Sequence, residues 1–238
     1  RLVEDIRGFP ELLTECVPAN FGELLCYPRW HEALMLISRR LPRTRLVIPT
    51  NGTLLTGEKV ERLAQVPTLK LVNFSVNAYL PATYQAYEGL PGHHLETIEQ
   101  AAVRLHQLRP DITIWVSMVR DSRFQSPKEV ELFQDKWGRL GFQVQVNQAE
   151  YAGVPGREPL IPVSLPCRSL FADLAILYDG TALSCCYVAD KVEELVVGDA
   201  RQESLLDCWH SKRFNELRRL HLGGKRTELS MCSRCTFA

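Results

Sequence analysis

"LKLVNFSV" at residues 69–76, "LETIEQAAVRLHQL" at 95–108 and "ITIWVSMV" at 112–119 follow one another in the middle of the chain. The two outer runs have the apolar, β-branched and aromatic content of strands, and the middle run has a helical period. Strands joined through a helix run parallel, since an antiparallel return needs only a tight turn. The alternation continues in both directions. "PRWHEALMLISRRL" at 28–41 places Trp30, Leu34, Ile37 and Leu41 along one stripe, and Pro42 ends it. "RLVIP" at 45–49 reads as a short buried strand, and "TGEKVERLAQV" at 56–66 as a helix that Thr56 could cap. "SPKEVELFQDKWGRLG" at 126–141 has Ser126 as cap, Pro127 first, Glu129 to complete a capping box, and Gly141 beyond the far end. "FQVQVN" at 142–147 closes the series.

The predicted fold class is therefore α/β, with parallel strands, right-handed crossovers and helices outside them. In such folds the loops at the carboxyl ends of the strands converge on a shared crevice. The residues expected there are Gly22 and Glu23, then Thr50, Asn51 and Gly52, then Ser75 and Asn77, then Arg120, then Asn147 and Gln148. Polar loops explain each of these singly. Five polar ends in succession point to a binding site.

Residues 148–166, "QAEYAGVPGREPLIPVSLP", hold four prolines and little periodicity, a linker composition. The organisation expected is an α/β part at 1–150, a linker at 151–166 and a small domain at 167–238. In the latter, "LAILYDGTALSCC" reads as a hairpin whose Asp179-Gly180 supplies the positive φ, and "SLLDCWHSKRFNELRRLH" as a helix ended by Gly223-Gly224.

Of the 8 cysteines, Cys167, Cys185, Cys186, Cys208, Cys232 and Cys235 crowd the last third. Four thiolates from a loop, a strand end and a terminal Cys-x-x-Cys can enclose one metal centre, either tetrahedral zinc or an iron-sulfur cluster. Spacing does not separate the two. Cys185 and Cys186 point to opposite faces if extended, so only one ligates easily. Cys16, Cys26 and Cys208 read as small buried hydrophobes. The crowding, in a chain with an ordinary core and no secretory leader, suits a reducing compartment, and the cytoplasm is expected.

Lys plus Arg number 28 and Asp plus Glu 28, so no overall field draws nucleic acid or an anionic membrane, and neither is expected as a partner. No apolar run is long enough to span a bilayer. One local basic run, Lys212, Arg213, Arg218, Arg219, Lys225 and Arg226 against Glu216, reads as a solvated helix face or as a dock for an acidic partner. His93 and His94 are placed in a loop.

The stretch from Cys167 to Cys235, with its Gly-x4-Cys turn at Gly180–Cys185, its Gly198-Asp199 step, its Ser-Leu-x-x-x-Trp helix at Ser204–Trp209 and its closing Cys-x-x-Cys, resembles the SPASM or twitch extension of radical S-adenosylmethionine (radical SAM) enzymes. "NFGELLCYP" at 20–28, "VIPTNGTLLT" at 47–56 and "NFSVNAYLPATYQAYEGLPGHHLETI" at 73–98 are similar to the second, third and fourth strand regions of that family's barrel. The resemblance implies a partial (β/α) barrel followed by a small hairpin-and-helix domain. It implies one auxiliary 4Fe-4S cluster on Cys167, Cys185, Cys232 and Cys235, and S-adenosyl-L-methionine held by Gly22, Glu23, Asn51, Ser75 and Arg120. It implies an enzyme that generates a 5′-deoxyadenosyl radical and modifies a peptide or protein, fed by a flavodoxin- or ferredoxin-type electron donor. Phe21 and Leu24 replace the first glycine and the proline of the family's amino-group motif. The Cys-x3-Cys-x2-Cys loop of the core cluster does not occur here, and because the chain opens on Arg1 that loop is expected in a preceding segment. The alternative is a zinc-stabilised scaffold or binding protein on the same fold.

Overall fold

The computed structural model describes residues 2–7, 13–19, 21–148, 165–188 and 191–235. A short helix, α1 (Leu2–Arg7), opens the chain. The chain divides into two compact units, residues 6–149 and residues 150–238 with 1–5. Most of the segment expected as a linker lies outside the described residues.

The first unit is a five-stranded sheet of β1 (Glu15–Cys16), β2 (Arg45–Thr50), β3 (Leu69–Ser75), β4 (Thr113–Arg120) and β5 (Gln143–Gln148), in that order and all parallel. The connections carry α2 (Trp30–Arg40), α3 (Glu58–Ala64), α4 (Pro81–Glu88), α5 (His94–Leu108) and α6 (Pro127–Arg139). Strand alternation and register divide the sheet into two faces. Ile48, Val72 and Ile114 align in one row, and Thr50, Phe74 and Val116 in the next. All six are buried, in a face whose core also takes Leu34 of α2, Leu63 of α3, Ile98 and Leu105 of α5 and Phe133 of α6. Full burial of each such side chain contributes about 1.5–3 kcal/mol. The opposite face aligns Asn73 with Trp115 and Ser75 with Ser117, then Trp115 with Gln143 and Ser117 with Gln145. One face thus carries the core while the other offers hydroxyls and amides.

Gly52 sits at the hinge of this arrangement. Its φ is 75°, and a Cβ there would stand 2.9 Å from Phe74 Cδ1 and 3.1 Å from Ile98 Cγ2. Only glycine lets the chain turn this closely over the sheet.

Several local expectations are corrected. Thr56 does not cap α3, because Gly57 takes the cap position with φ 47°. Ser126 does accept from the Glu129 amide, but the Glu129 carboxylate reaches instead to Tyr79 N (2.9 Å), Leu80 N (3.0 Å) and Thr83 Oγ1 (2.9 Å). The stronger demand came from the loop after β3, whose amides would otherwise lack acceptors. Helix α4 was not foreseen, although Pro81 at its start and left-handed Gly89 at its end are ordinary signals. His94 is the first residue of α5 rather than a loop residue.

The second unit holds α7 (Ser169–Ala172), an antiparallel sheet of β6 (Ala175–Ile176), β7 (Thr181–Leu183) and β8 (Val196–Asp199), then α8 (Leu205–His210) and α9 (Lys212–Leu222). The hairpin is as expected, with Gly180 at φ 90°, while β8 adds a third strand. The expected single helix is broken at Ser211, whose extended backbone (ψ 152°) and side chain, accepting from Phe214 N, begin a new helix. The preceding helix has its own capping box of Ser204 and Asp207. The basic run is largely structural. Arg218 donates to Leu170 O and Trp209 O, and its guanidinium carbon lies 3.9 Å from the Phe214 ring centre. Arg213 donates to Glu194 O, and Arg226 is buried.

Candidate binding site and metal centre

At the carboxyl edge of the first unit, Glu23 gathers three donors. Its Oε1 accepts from Leu25 N (3.1 Å), and its Oε2 from Thr50 Oγ1 (2.9 Å) and Asn51 N (2.9 Å). Gly22 precedes it with φ 79°, so the chain doubles back and aims the carboxylate across to the tip of β2. Thr50 Oγ1 in turn accepts from Gly52 N at 3.0 Å. Asn51 Oδ1 accepts from both Thr53 N and Thr53 Oγ1, which spends its carbonyl on the turn and leaves its NH2 as the group it can offer. Gly22, Glu23 and Asn51 are therefore brought together.

Ser75 ends β3 in register with Ser117, on the polar face. Ser117 was missed by sequence reasoning, although a serine inside the apolar run of β4 was a visible break in pattern. Asn73 shares that face, and its Oδ1 is buried without a partner. Asn77 takes φ 61°, accepts from Val119 N at 2.7 Å and donates to Glu88, which fixes the segment beyond Ser75. Arg120 stands apart from this group. Strand alternation puts it on the face of Met118 and Val116, and its Nε is buried without a partner.

In the second unit the thiols of Cys167, Cys185, Cys232 and Cys235 share one electrostatic neighbourhood. Burial pushes the Cys185 thiol up to about 12, with Cys186, Cys235 and Cys167 adding to the shift, while Tyr187 N, donating to its sulfur at 3.4 Å, opposes it. Burial likewise raises Cys232 to about 12, helped by Cys185 and Cys235. These groups are protonated without metal, so loading the site releases protons. Cys186 turns elsewhere, its sulfur 3.5 Å from Ser169 Oγ and 3.9 Å from Asp173 Oδ2. Cys185, by contrast, packs with Cys232 against the apolar group around Leu183 and Leu195. Among the described residues no three His, Cys, Asp or Glu side chains are grouped as they would be around one ion. The donor set is four thiols with an amide on one sulfur, which fits an iron-sulfur cluster chemically.

Of the other cysteines, Cys16 is partly buried against the core and Cys208 fully buried against Gly198. Cys26 is exposed, contrary to expectation, because its short turn presents Leu24 and Leu25 to the core instead.

Residues 167–236 match the SPASM family, described as an iron-sulfur cluster-binding domain. Across its whole length the chain is 24% identical to the tungsten-containing aldehyde ferredoxin oxidoreductase cofactor-modifying protein of Pyrococcus furiosus, covering 79% of that protein. Among solved structures, it resembles BtrN in complex with AdoMet and 2-DOIA, at 16% identity and a TM-score of 0.64, over 99% of this chain and 77% of that one. It also resembles anSMEcpe with bound AdoMet and Cp18Cys peptide, at 14% identity and a TM-score of 0.66, over 92% of this chain and 73% of that one. The chain thus shares its fold with BtrN and anSMEcpe, and its residues 167–236 match the iron-sulfur cluster-binding SPASM domain.

Proposed function

We propose that this chain is the body of a radical SAM/SPASM maturase that cleaves S-adenosyl-L-methionine and modifies a peptide or protein. The observation that carries the reading is the SPASM match over residues 167–236, which takes in Cys167, Cys185, Cys232 and Cys235, with Cys185 and Cys232 packed against one small apolar group. When bound, a reduced core cluster and S-adenosylmethionine together supply a 5′-deoxyadenosyl radical that abstracts a substrate hydrogen. The chain's own part is to bind, orient and shield.

Glu23, braced by three donors, keeps one acceptor position for an ammonium. Asn51 offers its amide NH2, and Ser75 and Ser117 offer hydroxyls for a ribose. Arg120, expected to meet a carboxylate, lies on the other face of β4 and is left out of this set. Peptide as the substrate class is supported by the peptide bound in anSMEcpe. A small-molecule substrate is the second reading, favoured by 2-DOIA in BtrN. The reading places the protein in the cytoplasm, where a flavodoxin or ferredoxin would reduce it; the free state of all its cysteines supports this. No helix among the described residues is long and apolar enough to cross a membrane.

The test is anaerobic purification of the chain. Brown protein with iron and acid-labile sulfide supports the proposal, and colourless protein with one zinc per chain supports the scaffold alternative. In the protein that carries a core-cluster loop together with this chain, 5′-deoxyadenosine should form on reduction. Its release should rise with a peptide substrate, and stimulation by small molecules alone would favour the second reading.

A further inference from the structure

Arg226 is 3% exposed, and no carboxylate pairs with it among the described residues. Its donors all go to backbone carbonyls: Nη1 to Leu165 O at 2.9 Å, Nη2 to Cys235 O at 2.8 Å and Nε to Cys232 O at 3.3 Å. Leu165 lies two residues ahead of Cys167, so one guanidinium ties both ends of the domain's thiol set together. Two neighbours complete the frame. His221, 1% exposed, accepts from Cys167 N through Nδ1 at 3.2 Å. Glu194 accepts from Ser230 N, Ser230 Oγ and Met231 N, which fixes the chain entering Cys232. An isolated buried cation is costly, and carbonyl dipoles compensate only part of that cost. Four thiolates around an iron-sulfur cluster carry net negative charge, and would provide the missing counter-charge.

We propose that Arg226 is a positioning residue of the auxiliary cluster. It ties the Cys167 and Cys232–Cys235 segments to one another through the carbonyls of Leu165, Cys232 and Cys235, and it supplies the buried positive charge that raises the cluster's reduction potential. The inference rests on the cluster reading above. It assigns separate roles to the fork of donors and to the charge, and substitutions can separate them.

The experiment uses the 238-residue chain, reconstituted anaerobically with iron and sulfide, as wild type, Arg226→Met, Arg226→Lys and the exposed control Arg219→Met. The readouts are the cluster's midpoint potential, from redox-poised absorption and electron paramagnetic resonance, and the rate of iron loss to a chelator. Arg226→Met should shift the potential to more negative values and speed iron loss roughly tenfold or more, as losing a charge-assisted bond implies. Arg226→Lys should hold a potential near wild type, since the charge stays, yet lose iron faster, since an ammonium cannot span three carbonyls. Arg219→Met should change neither. A cluster in Arg226→Met at the wild-type potential overturns the inference. If Arg226→Met does not fold, wild-type iron retention in Arg226→Lys overturns it. Iron-free wild-type protein would instead overturn the cluster reading itself, and the inference with it.

Discussion

Replacing Glu23 with glutamine probes the strand-end site at its most connected group. A carboxylate has about four acceptor positions. Three are filled, one on Oε1 by Leu25 N and two on Oε2 by Thr50 Oγ1 and Asn51 N. The fourth, on Oε1, is where an ammonium from S-adenosylmethionine would bind, in a charge-assisted bond contributing about 1.5–3 kcal/mol. Glutamine keeps one carbonyl oxygen and adds an NH2. If that carbonyl serves Thr50 and Asn51, the NH2 confronts both Leu25 N and the ammonium, each a donor. The dissociation constant for S-adenosylmethionine should then rise by about 10- to 150-fold. Losing the half-buried Leu25 bond should cost about 1–2 kcal/mol of stability. Equilibrium dialysis under anaerobic conditions, on protein with its core cluster, reads the first effect, and the urea midpoint reads the second. A destabilised variant that binds S-adenosylmethionine within twofold of wild type would refute the reasoning, because the carboxylate would then be only a brace between Gly22 and the tip of β2.

Cys185→Ser should lose most of the iron bound after reconstitution while Cys186→Ser keeps it, as measured by iron and sulfide per chain. The reverse result would mean that Cys186, not Cys185, serves the metal. Glu129→Gln should destabilise the protein by about 1–3 kcal/mol in urea unfolding, because the loop amides of Tyr79 and Leu80 would face an NH2. An unchanged midpoint would show that water replaces the carboxylate there. Arg109 holds the Asp111 carboxyl below its ordinary value, at about 2. The depressed group contributes stability that is fully present above about pH 4 and lost as pH falls towards 2. Asp111 is half-exposed, so screening leaves under about 1 kcal/mol. The stability difference between wild type and Asp111→Asn should therefore be constant from pH 7 to pH 5 and shrink as pH falls from about 4 through 2; a gap as wide at pH 2 as at pH 5 counts against the pair.

Four of the five strands were legible because period and punctuation agree in the first unit, whereas β1, only two residues long, carries no readable period. Pro42, Ser126-Pro127 and Gly141 mark helix ends beside runs whose apolar residues go to one face. The strand-end residues were legible as a set, since polar residues at the ends of apolar runs stand out. Their bonding was not. Nothing in "NFGELLCYP" announces that Glu23 will accept from Asn51 N, a pairing that exists only once β1 and β2 lie parallel. The face taken by Arg120 likewise depends on where β4 begins, because a shift of one residue inverts every side chain. In the second unit the cysteines were legible by spacing and the scaffold less so. Ser211 looks like one polar residue inside an amphipathic helix, and only its extended backbone makes it a cap. His221 and Arg226 look like any members of a basic run, because burial of a cation is invisible without the carbonyls it serves.

The two sites are therefore built on different physical foundations. Ser75 ends β3, Asn51 directly follows β2, and Glu23 is bonded to the tip of β2, so this group leans on a sheet whose backbone bonds and apolar face would persist without any ligand. Cys167, Cys185, Cys232 and Cys235 lie on segments joined to strands of two to four residues and to short helices. Apolar packing there is split into two small groups, one around Phe214 and Leu217 and one around Leu183 and Leu195, with Cys232 packed against both. Cores that small leave much of the stability of such a domain to other bonds. Glu194, His221 and Arg226 supply some of these by holding backbone groups of the thiol-bearing segments, but they leave a buried cation uncompensated by any described carboxylate. Metal binding adds its free energy directly to folding when the site does not exist in the unfolded chain. The cluster in this reading is thus both an electron carrier and the group that completes the second unit's core.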